Sequence, residues 1–150
     1  MNKKYIYFLL ATFIFIVDRV TKIAALMWLA DSRYVVNSCV SFELTFNRGI
    51  SWGIFHSAPE IIFFIISLLI AGITAVVFVD AYYSYKYRKP IVGHVCIIAG
   101  SVANLIDRMV YGGVIDFIIL SYKQYSWPVF NIADIAIVCG VFLLIVCDEK

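Results

Sequence analysis

Two short stretches carry most of the side chains able to do chemistry in this chain. One is Asn104-Leu105-Ile106-Asp107-Arg108, followed across a Gly112-Gly113 turn by Val114-Ile115-Asp116-Phe117-Ile118; the other is Asn131-Ile132-Ala133-Asp134. Asp116 and Asp134 each sit among apolar neighbours, without enough nearby cations to pair both. Two carboxylates meeting in a partly desolvated pocket resist double ionisation, so one pKa rises and the pair shares a proton. The ionised partner can then take a proton from water while the protonated one donates to a carbonyl oxygen or a leaving amine. That is enough equipment to hydrolyse a peptide bond without a metal or a nucleophilic side chain. Asn104, Asp107 and Arg108 share one face of a helix, and Asp18 and Lys22 have the same i, i+4 spacing. For Asp18, Arg19, Lys22, Asp107 and Arg108 two readings stand side by side: ion pairs that hold helices together, or parts of a functional site.

The elements that must position these groups are membrane helices. Of 150 residues, 63% are hydrophobic and 15% charged, far from the composition of a soluble domain. A soluble fold this short could not bury every one of its apolar runs on all sides. The N-terminus has a basic head and an apolar middle, as a signal peptide does, but no small-x-small cleavage motif follows. Residues 5–29 instead read as a first span carrying three charges, ~20 residues being sufficient to cross. Residues 30–57 lack helical periodicity, and Tyr34 to Phe46 is β-branched, aromatic and partly alternating, which predicts a small sheet lying on the membrane. Ser57-Ala58-Pro59-Glu60 has the form of a capping box with proline in the first turn. Residues 61–79, 91–110 and 129–146 supply three further spans, with an aromatic and basic turn at Tyr82 to Pro90 and a connection over 111–128. The expected fold class is therefore an all-α integral membrane protein, one domain of four transmembrane helices with a small β-rich extracytoplasmic loop region between the first two.

Charge placement orients it. Lys3, Lys4, Lys86, Arg88 and Lys89 fall on one side, and Arg33, Arg48 and Lys123 are spread over the longer loops of the other. The positive-inside rule then puts both termini in the cytoplasm and loops 30–57 and 111–128 outside, with Trp28, Trp52 and Trp127 as an outer aromatic belt. In this topology Asp18, Lys22, Asn104, Asp107, Arg108, Asp116, Asn131 and Asp134 all come to one depth near the outer leaflet. His56 and His94 fall on opposite sides, so no Ser-His or Cys-His arrangement competes. Cys39, Cys96, Cys139 and Cys147 form no CxxC pair and no metal-ligand spacing with either histidine, and no metal, disulfide or cofactor is expected. A net charge of +2 gives no case for a nucleic-acid partner.

The polar blocks, in order, resemble those of the lipoprotein signal peptidases (signal peptidase II), four-span aspartic peptidases of the bacterial inner membrane. Asp18-Arg19-Val20-Thr21-Lys22 is similar to the first family block and Phe46-Asn47-Arg48-Gly49-Ile50-Ser51-Trp52-Gly53-Ile54-Phe55 to the second. Gly100 to Arg108 continuing to Gly113 to Ile118 resembles the third, and Phe130-Asn131-Ile132-Ala133-Asp134 the last. The chain departs at Ile50, Ser51 and Trp52, where small residues and then Phe are usual, at Gly100-Ser101, where Gly-Gly is, and at Ala103, where Gly is common. The resemblance implies catalytic aspartates at Asp116 and Asp134. It implies substrate-binding or site-shaping roles for Asn47, Gly49, Asn104, Arg108, Asn131 and Ala133, with Asp18 and Lys22 in support. The implied substrates are diacylglyceryl-modified prolipoproteins presented in membrane lipid, cut by a monomer whose active site lies near the outer leaflet. The rivals from other classes are a small transporter or channel subunit using the same acids as a proton or cation site, and an assembly protein whose polar blocks only dock a partner.

Overall fold

Apolar runs without internal proline have one economical way to satisfy their backbone away from water, which is to coil into helices. In the computed structural model, which describes residues 3–49 and 60–148, they do so. The order is α1 (Lys3–Trp28), β1 (Tyr34–Val35), β2 (Val40–Asn47), α2 (Glu60–Lys86), α3 (Val92–Tyr111), β3 (Val114–Tyr122), β4 (Tyr125–Ser126) and α4 (Ile132–Asp148). The departures at Ile50, Ser51 and Trp52 and the Ser57-Ala58-Pro59 part of the capping box lie outside the described residues.

The pattern of burial is inverted relative to a soluble protein. Asp18 and Asp107 are fully buried and Lys22 is 1% exposed, while Phe64, Leu68 and Val76 of α2 and Phe8 and Phe13 of α1 each have more than half their surface outside. A charged interior with an apolar exterior suits a lipid surround, where the outward face needs no water. Helices α2 and α3 are long and apolar enough to cross a membrane, and α4 carries a shorter apolar run over Ile132–Val146.

Helix α3 is the hub: α1, α2 and α4 all pack on it, and among the described residues the α2 and α4 backbones do not come close to each other. The closest packing is against α4. A Cβ on Gly93 would come 2.7 Å from the Gly140 carbonyl oxygen, one on Gly140 2.6 Å from that of Gly93, and one on Gly100 2.5 Å from that of Ala133. Small residues thus let the two backbones meet directly, as membrane helices require when no hydrophobic force joins them.

Two sequence expectations are corrected. The β structure is not confined to the loop between the first two helices, because the connection after α3 supplies two of the four strands of an antiparallel sheet ordered β1-β2-β3-β4. The apolar segment starting at Val114 has partners for its backbone across β2, so it extends as a strand rather than looping. Helix α2 also runs on to Lys86, beyond the expected end at residue 79, since nothing breaks it before Arg88, at φ 60, and Pro90. Within the sheet, Phe42 pairs with Ile118 but Thr45 with Asp116, so β2 spends one more residue than β3 and carries a bulge.

Gly100→Val would drive α3 and α4 apart at Ala133. Overpacking of this kind costs about 1–3 kcal/mol, and thermal unfolding in detergent should show a midpoint lowered by several degrees, whereas Gly72→Ala, where a Cβ meets nothing within 4 Å, should leave it within error.

Candidate active site

The site begins with four charges on two helices. Lys22 Nζ lies 3.0 Å from Asp18 Oδ2 and 2.7 Å from Asp107 Oδ2, and Arg19 Nη2 lies 3.0 Å from Asp18 Oδ2 and 2.6 Å from Asp107 Oδ1. Two acids and two bases cancel, which is what makes them tolerable in a dry interior. The i, i+4 spacing of Asp18 and Lys22 puts both on the α1 face that meets α3. Each acid also reaches further: Asp18 Oδ1 accepts the Ala133 N–H at 3.0 Å, and Asp107 Oδ2 the Ile115 N–H at 3.3 Å. The charge cluster therefore fixes the start of α4 and the start of β3.

From this cluster hydrogen bonds through two asparagines lead to the two carboxylates. Lysine only donates, so Lys22 Nζ, 2.7 Å from Asn104 Oδ1, sets which way that amide points. Asn104 Nδ2 then donates to Asp134 Oδ1 at 2.8 Å. Asn131 Nδ2 donates both to Asn104 Oδ1 at 3.2 Å and to Asp116 Oδ1 at 2.6 Å. On the far side Asn47 Nδ2 donates to Asp116 Oδ2 at 2.9 Å, and its own oxygen accepts the Gly49 N–H at 3.1 Å. Asn131 and Asp134 also close a reciprocal cap on α4, each side chain accepting the other's backbone N–H, at 2.9 Å and 3.1 Å.

Asp116 is held on β3, opposite Thr45, and is not in the loose outer loop expected from the sequence. Asn47 stands two residues beyond Thr45, on the same face and diagonal to Asp116. Asp116 is 2% exposed, and burial first, then the neighbouring Asp134 charge, push its carboxyl up to about 7, against the pull of the Asn47 and Asn131 amides.

Both carboxylates open onto a cleft of about 540 Å³ between α2 and α4, with Asn104 and Arg108 beside them and Ile70, Ile73 and Ile137 facing across it. Arg108 is 7% exposed; its guanidinium carbon lies 5.4 Å from the centre of the Phe63 ring, and its Nε and Nη1 have no hydrogen-bond partner among the described residues.

All ten residues singled out in the sequence are brought into one connected constellation: eight by the bonds above, Ala133 through its N–H, and Arg108 by facing the same cleft. Sequence reasoning left Arg19 open between an ion pair and a part of the site, and it gave no cleft-lining role to Phe63, Ser101, Thr74 or the Trp127 to Phe130 wall. Arg19 was detectable as the fourth charge that neutralises the cluster. Phe63 was not, since one aromatic in an apolar run looks like any other.

The model for signal peptidase (SPase) II matches residues 10–148. The chain belongs to the signal peptidase II family. It is 35% identical over 147 residues to a lipoprotein signal peptidase of Dichelobacter nodosus, covering 97% of this chain and 95% of that one. To the Staphylococcus aureus lipoprotein signal peptidase it is 37% identical over 156 residues, covering 100% and 93%. Two solved bacterial membrane enzyme structures superpose with TM-scores of 0.70 at 31% identity, covering 93% and 96% of this chain and 85% and 92% of theirs. Family membership gives the transporter reading no support.

Two outcomes follow from the geometry. Lys22→Met leaves two buried acids facing one arginine, a loss of about 3–5 kcal/mol, so chemical denaturation should find the variant unfolded or nearly so at neutral pH. Asp116, ordinarily near 3.8 and here about 7, binds its proton more tightly folded than unfolded, so stability falls as pH rises across that interval. The thermal midpoint of the parent protein should decline between those values more steeply than that of Asp116→Asn; parallel curves would refute the raised carboxyl.

Proposed function

We propose that this protein is an aspartic endopeptidase that removes the signal peptide from prolipoproteins whose cysteine carries a diacylglyceryl group, with Asp116 and Asp134 as its catalytic pair. The observation that carries the reading is the wiring of the two carboxylates: Asn131 bridges them, its side-chain amide donating to Asp116 and its backbone N–H to Asp134, and each carboxylate has a donor on each oxygen. With Asp116 near 7, the pair holds a single proton around neutrality. Asp134, as carboxylate, takes a proton from the attacking water while Asp116 gives its proton to the scissile carbonyl oxygen. As the C–N bond breaks, Asp134 passes that proton to the leaving amine and Asp116 recovers one from the gem-diol hydroxyl, which returns the pair to its starting state. Arg108 Nε and Nη1, unpartnered beside the cleft, are free to donate to a substrate backbone carbonyl.

Membership of a family of lipoprotein signal peptidases supports the substrate class. So does the shape of the cleft. Because the α2 and α4 backbones stay apart, it opens sideways in this reading, between faces whose outer surface is apolar, and a substrate anchored by acyl chains can enter from lipid without leaving it. All four helices span in this reading, α1 at 26 residues being about 39 Å long at 1.5 Å per residue. Both termini are then cytoplasmic, with the sheet and the exposed Trp28 and Trp127 at the outer surface of the bacterial inner membrane.

Purified protein given a diacylglyceryl-modified prolipoprotein should release its signal peptide. Asp116→Asn and Asp134→Asn should each lower kcat by at least about a hundredfold, the scale of general acid–base catalysis; near-normal cleavage by either sinks the pair. The rate should also fall as pH rises past about 7, where Asp116 loses the proton it must donate.

A further inference from the structure

At the opposite end of α1 and α2 lies a second built feature, outside the site described above. A cleft of about 440 Å³ is lined by Lys3, Tyr7, Tyr85, Lys86, Arg88 and Lys89, with no acid among them. Lys3 is fifteen residues before Asp18 on the same helix, so this cleft is roughly 22 Å along α1 from the charge cluster. Its floor is aromatic: the Tyr7 and Tyr85 rings meet edge to face, 6.3 Å apart at 84°, and Lys4 Nζ lies 6.0 Å from the centre of Tyr85.

The way α2 ends aims its cations at this cleft. The Lys89 N–H donates to the Ser84 carbonyl at 2.9 Å and the Arg88 N–H to the Tyr85 carbonyl at 3.0 Å, the paired bonds of a left-handed helix stop. The residue that must turn left-handed in such a stop is usually glycine, which has no Cβ to strain. Here it is Arg88, at φ 60. Stopping the helix does not call for an arginine there, and a strained non-glycine residue persists where its side chain has a use. Lys3, Lys86 and Arg88 have no acidic partner among the described residues.

We propose that this cleft binds the phosphate of an anionic phospholipid headgroup in the leaflet opposite the peptidase site, with Lys3, Lys86 and Arg88 on the phosphate. The inference rests on the membrane-spanning arrangement set out under the proposed function. The chemistry of a two-part ligand is matched on both sides. The basic rim takes a phosphate, while one to two turns further along the same two helices Phe8, Leu9, Phe78 and Val79 leave more than half of their surface exposed for acyl chains. A free phosphate or an acidic peptide would use the first and leave the second idle.

The test uses full-length protein in phosphatidylcholine micelles titrated with short-chain phosphatidylglycerol, read by native mass spectrometry and by thermal midpoint. Phosphatidylglycerol should bind and raise the midpoint, with neither effect from added phosphatidylcholine. Inorganic phosphate at the same concentration should do neither. Arg88→Gly relieves the left-handed strain, so its lipid-free midpoint should equal or exceed the parent's while its affinity for phosphatidylglycerol drops about fivefold. Lys3→Gln combined with Lys86→Gln should lose about thirtyfold. Undiminished binding in both variants, or equal binding of phosphatidylcholine, overturns the proposal; an equal response to inorganic phosphate reassigns the cleft to a free anion and overturns the lipid. Asp116→Asn should keep the full lipid response, so failure of the peptidase reading would show in cleavage and failure of this one in binding.

Discussion

Everything in this fold hangs on the buried exchange between Asp18 and Asp107 and the two cations Arg19 and Lys22. A charge in a lipid-facing protein has little water to retreat to, so each of the four depends on an opposite charge among the others. The cluster is also the one place where all the working parts meet: α1 and α3 supply the charges, and α4 and β3 are tied in by backbone N–H groups at Ala133 and Ile115. Electrostatic neutrality and assembly are thereby the same event. Helix α1 cannot dock without its charges finding those of α3, and once it docks, both carboxylate-bearing elements have an anchor.

The cluster does more than hold. Because an ammonium can only donate, Lys22 fixes Asn104 with its oxygen toward the cluster and its NH2 toward Asp134, and that same oxygen accepts from Asn131 Nδ2, which also donates to Asp116. An aspartate in place of either asparagine would add a fifth carboxylate to the four already gathered, and a leucine would leave acceptors bare. An amide is neutral, bears donor and acceptor together, and can hand polarity from one end to the other without handing on charge. The pair of amides is therefore suited to linking the charge cluster to the two carboxylates a few ångströms away without joining their charges.

Much of this was legible in the sequence, and the limits were physical. Charges in apolar runs are so costly that Asp18, Lys22, Asp107 and Arg108 identified themselves, and helical spacing showed which shared a face. Helix α4 was marked by Asn131-Ile132-Ala133-Asp134, a pattern that reads as a cap as well as a site. Strand β3 was not legible: Val114 to Leu120 is a short apolar run, and only a partner strand some seventy residues earlier decides that it is extended. Phe63 beneath Arg108 and the direct Gly93–Gly140 approach depend likewise on which helix faces which, information that no local pattern contains.

The bulge in β2 has a consequence for how this chain can vary. Side chains alternate along a strand, so inserting one residue exchanges the two faces of everything downstream. Phe42 and Asp116 lie on one face, and in a regular ladder Leu44 would stand opposite Asp116 with Phe46 beyond it. The extra residue brings Thr45 opposite instead, and with it Asn47. The strand is thus a parity device: its hydrophobic face serves the sheet before the irregularity, and its polar face serves the carboxylate after it. Length changes in this segment are tolerable only in steps of two, and a loss or gain of one residue between Val40 and Asn47 would turn an amide out and an aromatic in without altering a single residue of the site itself.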